Sequence, residues 1–142
     1  MDDGIEGWPT GRLLSTAARL VEHAWERVLR EYDLSSAGLV VLHVLSTGPA
    51  SQRQIAQAAR VTDQTASRTI ERLERVGYVT RQTDPADERR KHVAGTAAGL
   101  DVYRTLLERE RTDPTLVAAL GDSEPALREL LLELLRARRS ES

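Results

Sequence analysis

The sequence predicts a mainly α-helical protein with one small β-hairpin, and three observations carry that prediction. Apolar residues recur at spacings of three and four through most of the 142 residues. Strict alternation is confined to the neighbourhood of Tyr78–Gln82. Helix starts and stops fall between the periodic runs, with Ser35, Ser51, Thr62 and Thr96 as caps and Gly48, Gly77 and Gly121 as breaks.

Residues 1–10 hold glycines, a proline and three acids, and read as a flexible leader. From Arg12, the series Leu13, Leu14, Ala17, Leu20, Val21, Ala24, Trp25, Val28 and Leu29 predicts an amphipathic helix of about five turns. Tyr32–Leu34 breaks it, and Ser35 caps a second helix to Leu45. After the turn Ser46–Pro49, Ser51 and Gln54 form a capping box that opens a short third helix. Thr62 caps a fourth helix to Val76, and Gly77 stops it. Tyr78–Gln82 and Lys91–Ala94 are the two hairpin strands. Thr96 starts a long helix to about Arg111. Pro114 and Gly121 punctuate the stretch beyond it, and a leucine-rich last helix covers about Ser123–Ala137. These boundaries divide the chain into a leader (1–10), a long first helix (11–34), a compact middle (35–96) and C-terminal helices (97–142). The outer helices carry more apolar surface than the compact middle can cover, which suggests a symmetric dimer with interdigitated termini.

Composition narrows the function. The net charge of −2 excludes a protein that binds nucleic acid by being basic throughout. Its distribution is uneven: residues 1–50 hold 4 basic and 7 acidic groups, residues 51–92 hold 9 and 6, and residues 93–142 hold 7 and 9. A basic centre between acidic flanks suggests one surface for a polyanion, although a swing of this size also arises by chance. The absence of cysteine excludes disulfides, thiolate metal sites, a cysteine nucleophile and thiol redox switching. No apolar run approaches the roughly 20 residues that span a bilayer. The sequence therefore reads as a cytoplasmic protein without cofactor or metal.

Two short helices joined by a tight turn at Arg60–Thr62, and followed at once by a hairpin, form a winged helix-turn-helix. On the second of these helices Ala66, Ile70 and Leu73 fall on one side and pack inward. Gln64, Arg68, Glu71 and Arg75 fall opposite, with Thr65 and Ser67 on the flanks. Gln64 can pair with adenine and Arg68 with guanine, while Thr65 and Ser67 can contact phosphate or a thymine methyl. The blander reading is a solvated helix face, and it suits Glu71 and Arg75 as an i,i+4 ion pair. The hairpin tip carries Arg89, Arg90 and Lys91 in succession, where an arginine can enter a narrow minor groove. The candidate DNA contacts are therefore Gln54, Thr62, Gln64, Thr65, Ser67, Arg68, Arg72, Arg89, Arg90 and Lys91.

Four segments of the sequence resemble the multiple antibiotic resistance regulator (MarR) family of bacterial transcription factors. They are Thr62–Arg68, Leu73–Arg81 in the pattern L-E-x-x-G-[aliphatic or aromatic]-V-x-R, Asp84–Arg90 in the pattern D-P-x-D-x-R, and Thr96–Gly99 in the pattern T-x-x-G. The resemblance implies that Arg89 is the minor-groove arginine and that Gln64, Thr65, Ser67 and Arg68 lie on the recognition helix. It also implies a homodimer built from the first helix and the last two, bound to a pseudo-palindromic operator. The implied function is a repressor released by a small ligand, often aromatic or phenolic. Gly95 stands where the family has a leucine, implying a shorter or looser wing, and Glu88 stands where a basic residue is common, weakening minor-groove attraction. The missing cysteines exclude the oxidation-sensing branch.

Candidate effector contacts are Arg19, His23 and Trp25 on the first helix and His43 on the second. Each has an ordinary alternative: dimer core for Trp25, a surface or satisfied core position for the histidines, and pairing with Glu22 or Glu26 for Arg19. Three scattered histidines give no metal motif. The chain has no G-x-S-x-G, G-x-x-x-x-G-K-[ST] or G-x-G-x-x-G, which argues against an enzyme. The competing function is a winged-helix protein–protein interaction module without specific DNA binding. Its signature would be acidic or apolar residues at positions 64, 68 and 89, which hold Gln64, Arg68 and Arg89.

Overall fold

In a computed structural model, which describes residues 4–84 and 86–139, seven α-helices and one antiparallel hairpin follow one another along the chain. They are α1 (Thr10–Glu31), α2 (Ser36–Leu45), α3 (Gln52–Ala59), α4 (Asp63–Val76), β1 (Val79–Asp84), β2 (Asp87–Gly95), α5 (Ala97–Arg111), α6 (Pro114–Leu120) and α7 (Glu124–Arg139). The mainly helical class with a single hairpin is as expected from the sequence. The chain divides into two compact units, Met1–Leu106 and Leu107–Ser142.

In the first unit the core is built from the inward faces of α2, α3, α4 and the hairpin. Leu42, Ile55, Ile70 and Leu106 are fully buried, and Leu29, Val41, Leu45, Ala66, Leu73, Val79 and Val93 surround them. Each helix end in this core has a chemical cause. Ser35 and Thr62 accept the backbone N–H of Gly38 and Thr65 respectively. At α3, Ser51 accepts from the Gln54 N–H while Gln54 Oε1 accepts from the Ser51 N–H, the expected capping box. Gly77 closes α4 in the left-handed region at φ +94, which lets the Tyr78 N–H reach the Leu73 carbonyl. Arg60 closes α3 the same way at φ +57, with the Val61 N–H on the Ala56 carbonyl, so a side chain that ordinarily avoids this region sits in the turn.

The hairpin is longer than the alternation predicted. It pairs Val79 with Gly95 and continues to Asp84 opposite Asp87, with a register shift between Thr83 and Asp84. Gly95 is the last residue of β2 and pairs with Val79. A Cβ there would lie 2.8 Å from Leu100 Cδ2, so the Leu100 side chain occupies the space a larger residue would need. A third backbone segment joins the sheet, since Ala50 and Val93 exchange both backbone hydrogen bonds, at 3.0 and 2.8 Å.

The helix α1 begins at Thr10, two residues before the predicted start, because Pro9 supplies a suitable N-terminal boundary and the Arg12 and Leu13 N–H groups bond its carbonyl. Its face is partly covered: Leu29 is buried, whereas Leu20 is 69 % exposed. In the second unit, residues 114–120 form a helix where the sequence suggested only a break, with Pro114 at the first helical position. On α7, Leu130 and Leu135 are 62 % and 58 % exposed. Among the described residues no helix is long and apolar enough to cross a membrane.

Candidate nucleic-acid interface

The reading face predicted on α4 is held outward by its own packing. Ala66, Ile70 and Leu73 are buried, and this fixes the rotation of the helix. Gln64, Thr65, Arg68 and Arg72 are then exposed, and Ser67 is half-buried on the flank. The first turn is rigid: Thr62 Oγ1 accepts the Thr65 N–H at 3.1 Å and donates to Thr65 Oγ1 at 3.0 Å. Both partners of the Thr62 hydroxyl are thus internal, while Thr65 keeps its own hydroxyl proton for an outside acceptor. Asp63, in the first turn, stabilises the helix dipole and offsets the positive potential at that end. Gln52 Nε2 donates to the Asp63 carbonyl at 3.4 Å, tying the start of α3 to the start of α4.

The wing approaches from β2. Lys91 is exposed and His92 half-buried. The side chains of Arg89 and Arg90 lie outside the described residues, so their placement in the wing stays a sequence expectation. Arg81 on β1 pairs with Glu74 on α4 at 3.5 Å, which fastens the hairpin to that helix. Glu71 and Arg75, expected to pair, form no ion pair among the described residues; the salt bridge on this helix is made by Glu74 instead.

Gln54, Lys91 and three residues the sequence reading did not single out line one open groove of about 520 Å³ between α3 and β2. The three are Arg53, Gln57 and His92, and Ser51 completes the wall. The only sequence signal for Arg53 and Gln57 was their i,i+4 spacing on the exposed side of a capped helix. His92 carried none. Arg72, grouped with the DNA contacts by sequence, lines a different cavity of about 320 Å³ with Glu26, Arg30, Leu34 and Ser35, where α1, α2 and α4 meet.

The candidate effector residues separate into two places. On α1, Arg19 donates to Thr16 Oγ1 at 3.4 Å and His23 lies 3.7 Å from Glu26, so the expected pairing of Arg19 with Glu22 or Glu26 does not form. Trp25 is half-buried on the same helix. His43 on α2 instead shares a 2.5 Å hydrogen bond with the Tyr103 hydroxyl on α5, joining the compact lobe to the helix that leaves it.

A second tyrosine fixes the junction between α1 and the lobe. Tyr78 donates its hydroxyl to the Tyr32 carbonyl at 2.7 Å. Burial pushes its ionisation above the usual tyrosine value, and the neighbouring Asp33 and Tyr32 push it further.

Comparison with known proteins places this arrangement. The MarR family model matches residues 32–90, which span α2 through most of the wing. No curated protein sequence matches significantly. Among solved structures, the transcriptional regulator SlyA is 29 % identical with a TM-score of 0.75, over 91 % of each chain. MarR is 26 % identical with a TM-score of 0.77, over 94 % of this chain and 99 % of that one. BpsR of Bordetella bronchiseptica, whose DNA binding is regulated by 6-hydroxynicotinic acid, is 25 % identical with a TM-score of 0.76, over 95 % of both chains. These relatives are regulators of transcription rather than enzymes. With its capped α4, its hairpin and this shared architecture, the chain matches the MarR family model over residues 32–90 and resembles solved winged helix-turn-helix transcriptional regulators over nearly its whole length.

Proposed function

We propose that the protein is a dimeric, sequence-specific DNA-binding repressor that leaves its operator when a small aromatic or phenolic ligand binds. The observation that carries this reading is the outward face of α4. Gln64, Thr65 and Arg68 stand exposed on a helix whose opposite side is locked into the core. Gln64 and Arg68 have the donor and acceptor geometry for adenine and guanine edges. Thr65, Ser67, Gln54 and Lys91 contact the backbone, Thr62 acts by holding Thr65, and Arg89 and Arg90 extend the wing toward the minor groove. Arg72 adds its charge at the far end of the helix.

Dimerisation is supported by apolar side chains left uncovered in both units, Leu13, Leu14 and Leu20 on α1 and Leu130, Leu134 and Leu135 on α7. A second copy that covers them sets two reading helices at neighbouring half-sites of a pseudo-palindromic operator. Ligand control is supported by the likeness to BpsR, and Arg19, His23, Trp25 and His43 are the proposed effector contacts. The test is a mobility-shift assay of the full chain on the DNA upstream of its own coding sequence, with and without aromatic acids. Binding to that DNA, lost on adding such an acid, is expected. Equal binding to unrelated DNA would favour the interaction module.

A further inference from the structure

The groove between α3 and β2 is built from two distant parts of the chain, and among the described residues it is lined by cations without an acidic side chain. Arg53 and Gln57 face it from α3, and Lys91 and His92 from β2. Its two walls are locked in register, because Ala50 and Val93 exchange two backbone hydrogen bonds and are followed and preceded by Ser51 and His92. Ser51 and Gln54 use one another as capping partners, which leaves the Gln54 amide N–H2 to donate into the groove. At about 520 Å³ the groove has room for a phosphodiester with bridging waters.

We propose that this groove seats a backbone phosphate of bound DNA, and that His92 joins Arg53 and Lys91 there as a proton-dependent cation. The proposal rests on the DNA-binding reading and adds a site and a pH response to it. Among the described residues that line the groove with His92, the charged ones are Arg53 from α3 and Lys91 on its own strand. Its cross-strand partner is the neutral Gln82, and Arg81 beside it is engaged by Glu74. The side chains of Glu88, Arg89 and Arg90 lie outside the described residues. Histidine exchanges its proton near neutrality, so a phosphate held against it favours the imidazolium and DNA binding takes up a proton. Affinity therefore rises as pH falls.

The experiment measures affinity of the full chain for a duplex selected by the wild-type protein, from pH 8 to pH 5.5 at fixed ionic strength. The wild type is expected to tighten by up to about tenfold per half-site over that range. Its salt dependence should steepen by about 0.9 in log–log slope per half-site at the acid end. H92Q is expected to bind weakly with no such response, and H92R tightly with none. A wild type indifferent to pH, or an H92Q protein that keeps the wild-type response, overturns the proposal while leaving sequence-specific binding intact. Failure of the wild type to select any duplex overturns the DNA-binding reading itself.

Discussion

The backbone of Gly99 lies directly against the carbonyl of Tyr78. A Cβ at Gly99 would overlap the Tyr78 oxygen and sit 2.8 Å from its carbon. The same carbonyl accepts the Thr96 N–H, and Thr96 Oγ1 donates to the Gly77 carbonyl while accepting the Gly99 N–H. The end of α4, the first strand and the start of α5 therefore meet at one close backbone crossing that only glycine fits.

Gly99→Ala is accordingly expected to cost about 2–4 kcal/mol, as overpacking against backbone that cannot move aside. Thermal unfolding should show a midpoint lower by about 10 °C. A midpoint unchanged from wild type would mean that α5 is free to shift.

Tyr78→Phe removes the hydroxyl that serves the Tyr32 carbonyl and is expected to cost about 1 kcal/mol. The folded protein holds this phenol protonated above its usual range. The stability it contributes is thus fully present below about pH 10, the unfolded value, and is lost as pH rises through the higher folded value. Denaturant unfolding should give a constant difference between wild type and variant below about pH 10 that shrinks above it.

Thr62→Ala deletes the cap of α4 and should cost about 1 kcal/mol. It should also weaken DNA binding by releasing the Thr65 hydroxyl from its fixed position. Thr62→Ser should restore both, and titration calorimetry alongside thermal melts separates the two effects.

The uncovered leucines of α7 give a fourth expectation. Leu130→Glu with Leu134→Glu adds charge to exposed apolar positions and should leave helix content unchanged by circular dichroism. Light scattering should report half the wild-type mass. A dimer of normal mass would place the partner contact elsewhere.

Much of this architecture was legible because it is local. The caps at Ser35, Ser51, Thr62 and Thr96 announce their helices, and the 3.6-residue period of Ala66, Ile70 and Leu73 fixes which face of α4 turns outward. The features that escaped were set by tertiary contact or by weak local signals. Arg60 occupies a left-handed turn that local preference gives to glycine. Gly95 stands at the end of β2, where Leu100 from the next helix fills the space beside it. The stretch 114–120 reads as a break from its proline and glycine, yet proline is at home in a first helical turn. At the candidate site, Gln64 and Arg68 were visible from periodicity. The groove that joins Arg53 to His92 was not, because the Ala50–Val93 pairing that creates it links segments far apart in the chain.

The most direct test of the outward face of α4 as the reading surface is the affinity of Arg68→Ala for a duplex selected by the wild-type protein, set against a scrambled duplex. Loss of about 1–3 kcal/mol of discrimination at one base pair is expected, with non-specific binding and dimer mass retained. An Arg68→Ala protein that binds the selected duplex with unchanged affinity and preference would contradict the account.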